Sequence, residues 1–183
     1  MIYGYNTVFW GLFFSMFHIN LGRLEVLPSF VGFLMVASGL KDIMSVGNNK
    51  YFKESLKYAY ILSGILVVAF ILPFLGKTGI SENSILNIIW INGTIILEIL
   101  FTVNLIEGSI ELLKERNSED EALRYKNKIR NFILIFTSLM ILNNINTIML
   151  NETLGVFLIL GMIIVKLSMM FSIKALGRIK WKL

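Results

Sequence analysis

Six stretches of this chain have the length and apolarity at which a helix crosses a bilayer, and no other feature constrains its folding as much. The hydrocarbon core of a membrane is about 30 Å thick, which takes about 20 apolar residues of helix. The stretches cover about residues 2–21, 26–40, 58–75, 85–106, 132–150 and 154–173. The second is the shortest, so it either tilts or extends towards Val46 with Lys41 and Asp42 among the headgroups. Composition agrees: 56% of the residues are hydrophobic and 16% are Asp, Glu, Lys or Arg, against about 25% charged in a soluble domain. A water-soluble fold of 183 residues has no interior large enough for that much apolar surface. A soluble enzyme, a nucleic-acid reader and a disordered chain are thereby excluded. The expected fold is an all-α polytopic transmembrane bundle of six spans in three hairpins, forming one domain.

The basic residues orient it. Lys41, Lys50, Lys53 and Lys57 lie between spans two and three, and Lys114, Arg116, Arg124, Lys126, Lys128 and Arg130 between spans four and five. Lys174, Arg178, Lys180 and Lys182 follow span six, while the opposite side carries Arg23 and Lys77, fourteen against two. The positive-inside rule then puts both termini in the cytoplasm. The isoleucine-, asparagine- and lysine-rich, alanine-poor composition fits an AT-rich bacterial genome, hence a bacterial cytoplasmic membrane. The first stretch has no basic start and is longer than a signal-peptide core, so it is expected to remain as a span. The hydrophilic stretch 107–130 reads as span four continuing into the cytoplasm, a turn at Asn117-Ser118, and a charged helix.

Several chemistries drop out. There is no cysteine, which removes thiolate metal sites and cysteine nucleophiles, including those of six-span peptide-processing membrane proteases. A single histidine, His18, cannot build a His-cluster metal site. Gly76-Lys77-Thr78 resembles the end of a phosphate loop, but Ile71 stands where the upstream glycine is required. No nucleophile elbow or intramembrane aspartate pair is present. The chain is expected not to be an enzyme and to need no cofactor; no nucleic-acid partner is expected.

Two ionisable residues sit deep in the apolar stretches. Glu98 lies 13 residues into span four, and Lys166 lies 12 residues into span six, both counted from the external end. At 1.5 Å per residue, both reach roughly 18–20 Å below the outer boundary. Matched depth and opposite charge predict an intramembrane ion pair, because a lone charge at mid-membrane costs on the order of 2.5–3.5 kcal/mol. Asn87, Thr94, Glu98, Thr102 and Ser109 fall within about 40° of a common direction on a helical wheel, a polar stripe along span four. Further out, Asn143, Asn144, Asn146 and Thr147 crowd span five, with His18 and Asn20 in the first hairpin and Asn87 and Asn92 in span four. His18, Asn20, Asn87, Asn92, Asn143, Asn144 and Asn146 are therefore the candidate lining of an externally open pocket for a polar small molecule. The alternative is hydrogen-bond glue between helices. Gly4, Gly11, Ser15 and Gly22 form a stripe of small residues on span one, and Gly32 and Gly39 one on span two, suited to close helix contact.

The stretch His18-Ile-Asn-Leu-Gly-Arg-Leu-Glu-Val-Leu-Pro-Ser-Phe-Val-Gly-Phe-Leu, continuing to Gly39-Leu40, resembles a hairpin in small multi-spanning proteins of low-GC Gram-positive bacteria. Ser29 stands where that pattern often has an acidic residue. The resemblance implies a bacterial membrane protein and no particular activity. The overall topology is similar to the substrate-binding membrane subunits of energy-coupling-factor vitamin importers. That similarity implies a transport-related protein binding a small polar ligand from outside and working with a partner membrane protein or ATPase. The alternative function is a non-transporting accessory or regulatory protein acting on a partner through its basic cytoplasmic loops. In either case membrane lipid is the surrounding partner.

Overall fold

A computed structural model describes residues 3–16, 20–21, 24–25, 28–72 and 85–179. Among these residues it shows six helices: α1 (Gly4–Met16), α2 (Ser29–Val46), α3 (Lys50–Ile71), α4 (Ile85–Glu115), α5 (Glu119–Met149) and α6 (Glu152–Leu176). Between α1 and α2, β1 (Asn20–Leu21) pairs antiparallel with β2 (Leu24–Glu25). Each helix packs on the next in the chain, and α6 packs back on α1, so the six close into a ring. Successive helices are antiparallel, as their cross-contacts show: Gly4 meets Gly39 and Gly11 meets Gly32, while Ser55 reaches Phe101 and Tyr125 reaches Ser172. One end of the ring, the base, carries the first residues of α1, the last of α6 and the α2–α3 and α4–α5 turns. The far end carries the last residues of α1, the first of α2 and the α5–α6 turn.

Among the described residues, four helical segments are long and apolar enough to cross a membrane: Ser29–Val46, Lys50–Ile71, Ile89–Glu115 and Glu152–Leu176. The helices begin and end where local chemistry directs. Asn49 caps α3, its side-chain oxygen accepting the Phe52 N–H at 3.0 Å, and Asn151 caps α6 in the same way through Leu154. Asn117 and Leu150 adopt left-handed φ values of 54° and close the α4–α5 and α5–α6 turns. The helical boundaries depart from the apolar stretches at several points. The described part of α1 is 13 residues, and Asn20 and Leu21, counted with span one from hydropathy, lie in β1 instead. α3 starts at Lys50 and α5 at Glu119, well before their apolar portions, because helical hydrogen bonding continues through polar sequence that hydropathy excludes.

The tightest seam is α1 on α2. A Cβ placed on Gly11 would stand 2.6 Å from the Gly32 carbonyl oxygen, and one on Gly39 2.6 Å from that of Gly4. The two glycine stripes interlock so closely that no side chain fits between the backbones, the usual way membrane helices gain contact without a hydrophobic driving force. The buried core lies mostly towards the base: Tyr5, Leu40, Ile43, Phe52, Leu105, Ile106, Leu113 and Leu176 are all fully buried. The 107–130 stretch contributes to it. Lys114, Glu115, Glu119, Asp120, Arg124, Lys126 and Arg130 are exposed, while Ile110, Leu113, Ala122, Tyr125 and Ile129 are buried, so the stretch is part of the bundle rather than a solvated connector.

Candidate functional site

Glu98 is on α4 and Lys166 on α6, two helices separated in the ring by α5. Both helices run from the far end to the base, so residues at equal depth can meet. The Lys166 ammonium forms a salt bridge with Glu98 Oε2 across the interior of the ring. It also stands 5.6 Å from the centroid of the Phe136 ring on α5, within cation–π range. The two side chains remain 30% (Lys166) and 32% (Glu98) exposed, so the pair is not sealed between helices. It borders a cavity of about 240 Å³, about eight times the ~30 Å³ that a water molecule occupies in the liquid.

The cavity takes its walls from five helices. Leu12, Ser15 and Met16 come from the end of α1, Phe33 from α2, and Ile99, Phe101 and Thr102 from α4 beside Glu98. α5 gives Phe132 and Phe136, and α6 gives Met169, Met170 and Ile173 beside Lys166. The Thr102 hydroxyl donates to the Glu98 carbonyl oxygen at 2.8 Å and the Ser15 hydroxyl to the Leu12 carbonyl oxygen at 2.9 Å. With their protons committed to their own helices, both hydroxyls keep lone pairs as acceptors. The polar contents are thus one carboxylate, one ammonium and two hydroxyl acceptors within an aromatic and methionine-rich shell, the composition of a small-molecule site. Among the described residues, no three His, Cys, Asp or Glu side chains gather as a metal ion would require.

The amides expected to line an outer pocket are arranged differently. Asn92 and Asn144 bond reciprocally across α4 and α5, each side-chain nitrogen donating to the other's oxygen, at 3.3 and 3.0 Å. Asn146 is buried and donates to the Asn151 carbonyl oxygen at 3.0 Å, holding the α5–α6 turn, while its own side-chain oxygen finds no donor. Asn143 is half-buried, and its backbone carbonyl accepts the Thr147 hydroxyl. None of these four lines the cavity at Glu98 and Lys166. His18 lies outside the described residues, as do the side chains of Asn20 and Asn87.

What the sequence reading did not single out are the walls, Phe33, Phe101, Phe132, Phe136, Met169 and Met170. Their one signal is that Phe132 and Phe136, and likewise Lys166 and Met170, lie four residues apart and so share a helix face.

Below the cavity the base is stitched by polar contacts. The Tyr5 hydroxyl donates to Ser109 Oγ at 2.8 Å, the Asn49 amide to the Gly108 carbonyl at 2.9 Å, and Ser55 Oγ to the Phe101 carbonyl at 3.2 Å. Tyr125 donates to the Ser172 carbonyl at 3.0 Å, and Lys128 to Ser172 Oγ at 3.3 Å from above the Tyr125 ring. Burial, then the Glu121 carboxylate, pushes the Tyr125 hydroxyl up to about 12, so it stays protonated and a donor. Burial, then the Arg124 charge, pulls the Lys128 ammonium below its ordinary value.

No protein-family model, curated protein or solved structure matches the chain.

Proposed function

We propose that this chain is a transport-related integral membrane protein of a bacterial cell membrane, crossing it six times with both termini in the cytoplasm. In this reading it admits a small polar molecule from the external side into the cavity at Glu98 and Lys166. The observation that carries the reading is the exposure of a deep ion pair to open volume. A pair that serves only to fix packing is expected to have its remaining lone pairs and protons satisfied by neighbouring groups. Here they face a cavity. The likeness in topology to substrate-binding importer subunits supports the transport part of the reading, and the short resemblance in the first hairpin supports only a bacterial membrane protein.

Cysteine scanning tests it in the chain's natural cysteine-free background. Ser15→Cys and Ile99→Cys, both at the cavity, should react from outside intact cells with a membrane-impermeant thiol reagent, while Leu40→Cys in the core should not. If both cavity cysteines are inert while Glu152→Cys at the far turn labels, the cavity is closed to the exterior and the reading fails. Reporter fusions after Gly47, Lys77, Asn117, Glu152 and Leu183 should read inside, outside, inside, outside and inside; an outside signal at Asn117 or Leu183 would overturn the orientation.

An accessory role through the base is the second reading. It is favoured by the exposed basic residues there, Lys53, Lys57, Lys114, Arg124, Lys126 and Arg130. It predicts a second protein chain retained on gentle solubilisation in place of a small molecule, which native mass spectrometry distinguishes.

A further inference from the structure

We infer that the molecule this cavity takes is a zwitterion with an apolar body, whose cationic group meets Glu98 and whose anionic group meets Lys166, parting the salt bridge. The inference rests on the binding reading above and goes further by fixing the charge of the ligand. The cavity presents one negative and one positive group, and each is now the other's partner. A cation drawn to Glu98 would leave the Lys166 ammonium without its carboxylate. An anion drawn to Lys166 would strand Glu98. Both groups are about one-third exposed, so either outcome leaves a partly shielded charge without its partner, which opposes binding. A ligand carrying both charges replaces one ion pair by two and strands nothing.

The rest of the wall is consistent with this and sets the ligand's orientation. Thr102 and Ser15 add acceptor oxygens at the cavity, Thr102 one helical turn from Glu98, which suits an ammonium donor there. The Phe136 ring already lies beside the Lys166 ammonium and can hold it as the carboxylate partner changes. Phe33, Phe101, Phe132 and Met169 offer only apolar surface, so the body between or beyond the two charges must itself be apolar. Amino acids with aliphatic or aromatic side chains have this chemistry.

The test is thermal melting of the full-length protein in lipid nanodiscs against a defined panel. The panel holds leucine, methionine, phenylalanine and tryptophan, each beside its single-charge analogues, the amine without the carboxylate and the acid without the amine. At least one zwitterion should raise the melting midpoint by several degrees, with its single-charge analogues binding at least about tenfold more weakly. The shift should vanish in Glu98→Gln and in Lys166→Met. Thr102→Val leaves the ion pair intact and should weaken the same zwitterion several-fold, so a variant that folds poorly does not decide the result. An amine or acid that matches its zwitterion, or a panel in which no zwitterion shifts the midpoint, overturns the inference. Thiol labelling at Ser15 and Ile99 does not depend on ligand charge, so a reachable cavity with no zwitterion response would sink this inference and leave the binding reading standing.

Discussion

From Phe101 to Leu113, α4 buries its inward face against α3, α5 and the α2–α3 turn; from Ile89 to Leu100 none of its residues is buried. The same division runs through α5 and α6. Towards the base, α5 buries Ala122, Tyr125, Ile129, Phe132 and Phe136, and beyond them, among the described side chains, Asn146. α6 buries Met169, Met170, Ile173 and Leu176 towards the base and only Leu158 on the other side. In lipid, apolar side chains gain little by leaving the hydrocarbon for a protein interior, so helix association depends on close packing and hydrogen bonds. The base has both, in the Gly4–Gly39 contact and in cross-helix bonds from Tyr5, Asn49, Ser55 and Tyr125, and the glycine seam of α1 on α2 continues past the cavity to Gly11, Gly32 and Ser15. Among the described residues, the far half of α4 is joined to that of α5 by a reciprocal amide pair. Glu98 and Thr102 lie on either side of this boundary, so the cavity opens where tight packing gives way. On the α4–α5 side, where packing is thinner towards the far end, the helices can part more easily than at the base, and the proposed entry of a ligand would use that side.

The largest effect that could break this contrast is steric. Gly39→Val puts a branched side chain against the Gly4 carbonyl and Val8, where backbone must move to make room. We expect a loss of about 3 kcal/mol, or no folded protein at all, read as thermal midpoint or recovered monodisperse material. Gly93→Val, in the far half of α4 with nothing within 4 Å, should lie within about 0.5 kcal/mol of the parent. Equal effects at the two sites would mean that the halves do not differ in packing.

Next is the ion pair at the boundary. Glu98→Gln or Lys166→Met should each cost about 1–3 kcal/mol, less than the ~3–5 kcal/mol of a fully dry pair, because both groups are about one-third exposed. The double change should recover much of the loss, since no lone charge is left. Additive losses in the double-mutant cycle would show that the contact contributes no coupling energy.

How far these features can be read from residues alone follows from the physics of each. The pairing of Glu98 with Lys166 is accessible as a depth argument, because a helix rises a fixed distance per residue and both helices run the same way. The Gly4, Gly11, Gly32 and Gly39 stripes are visible as spacings, though not that they face each other. The turn at Asn117 shows as a polar interruption between charged helices. The cavity walls were not legible: Phe33, Phe101, Phe132 and Met169 occur at spacings shared by core and by lipid-facing surface, and in a membrane both are apolar. The outer amides mislead for a related reason. A cluster of asparagines shows that polar groups must be satisfied, but not whether by a ligand or by one another. Asn92 and Asn144 satisfy each other.

A smaller effect belongs to the base. Tyr5→Phe removes the hydroxyl that donates to Ser109 Oγ at 2.8 Å in a fully buried position. Ser109 still donates to the Leu105 carbonyl, so one acceptor is left unfilled and the cost should be about 1 kcal/mol. A change within error would indicate that the base is held by shape alone.

The smallest expected effect tests the far half most directly. Asn92→Leu and Asn144→Leu each break the reciprocal amide pair, and Asn92→Leu takes from the Asn144 amide its bond across the helices. Hydrogen bonds between membrane helices average about 0.6 kcal/mol and reach about 1.7, because amides in the unfolded, lipid-embedded state also find partners. Each single change should therefore cost about 0.6–1.7 kcal/mol, and the double change less than the sum, since both changes remove the same pair of bonds. The cysteine labelling described above adds a second readout. If the amide pair is what holds the far ends of α4 and α5 together, the double variant should label faster at Ile99→Cys with its core packing unchanged. Slower or unchanged labelling would mean that the far half is held by contacts other than this pair, and the contrast with the base would have to be drawn from packing alone.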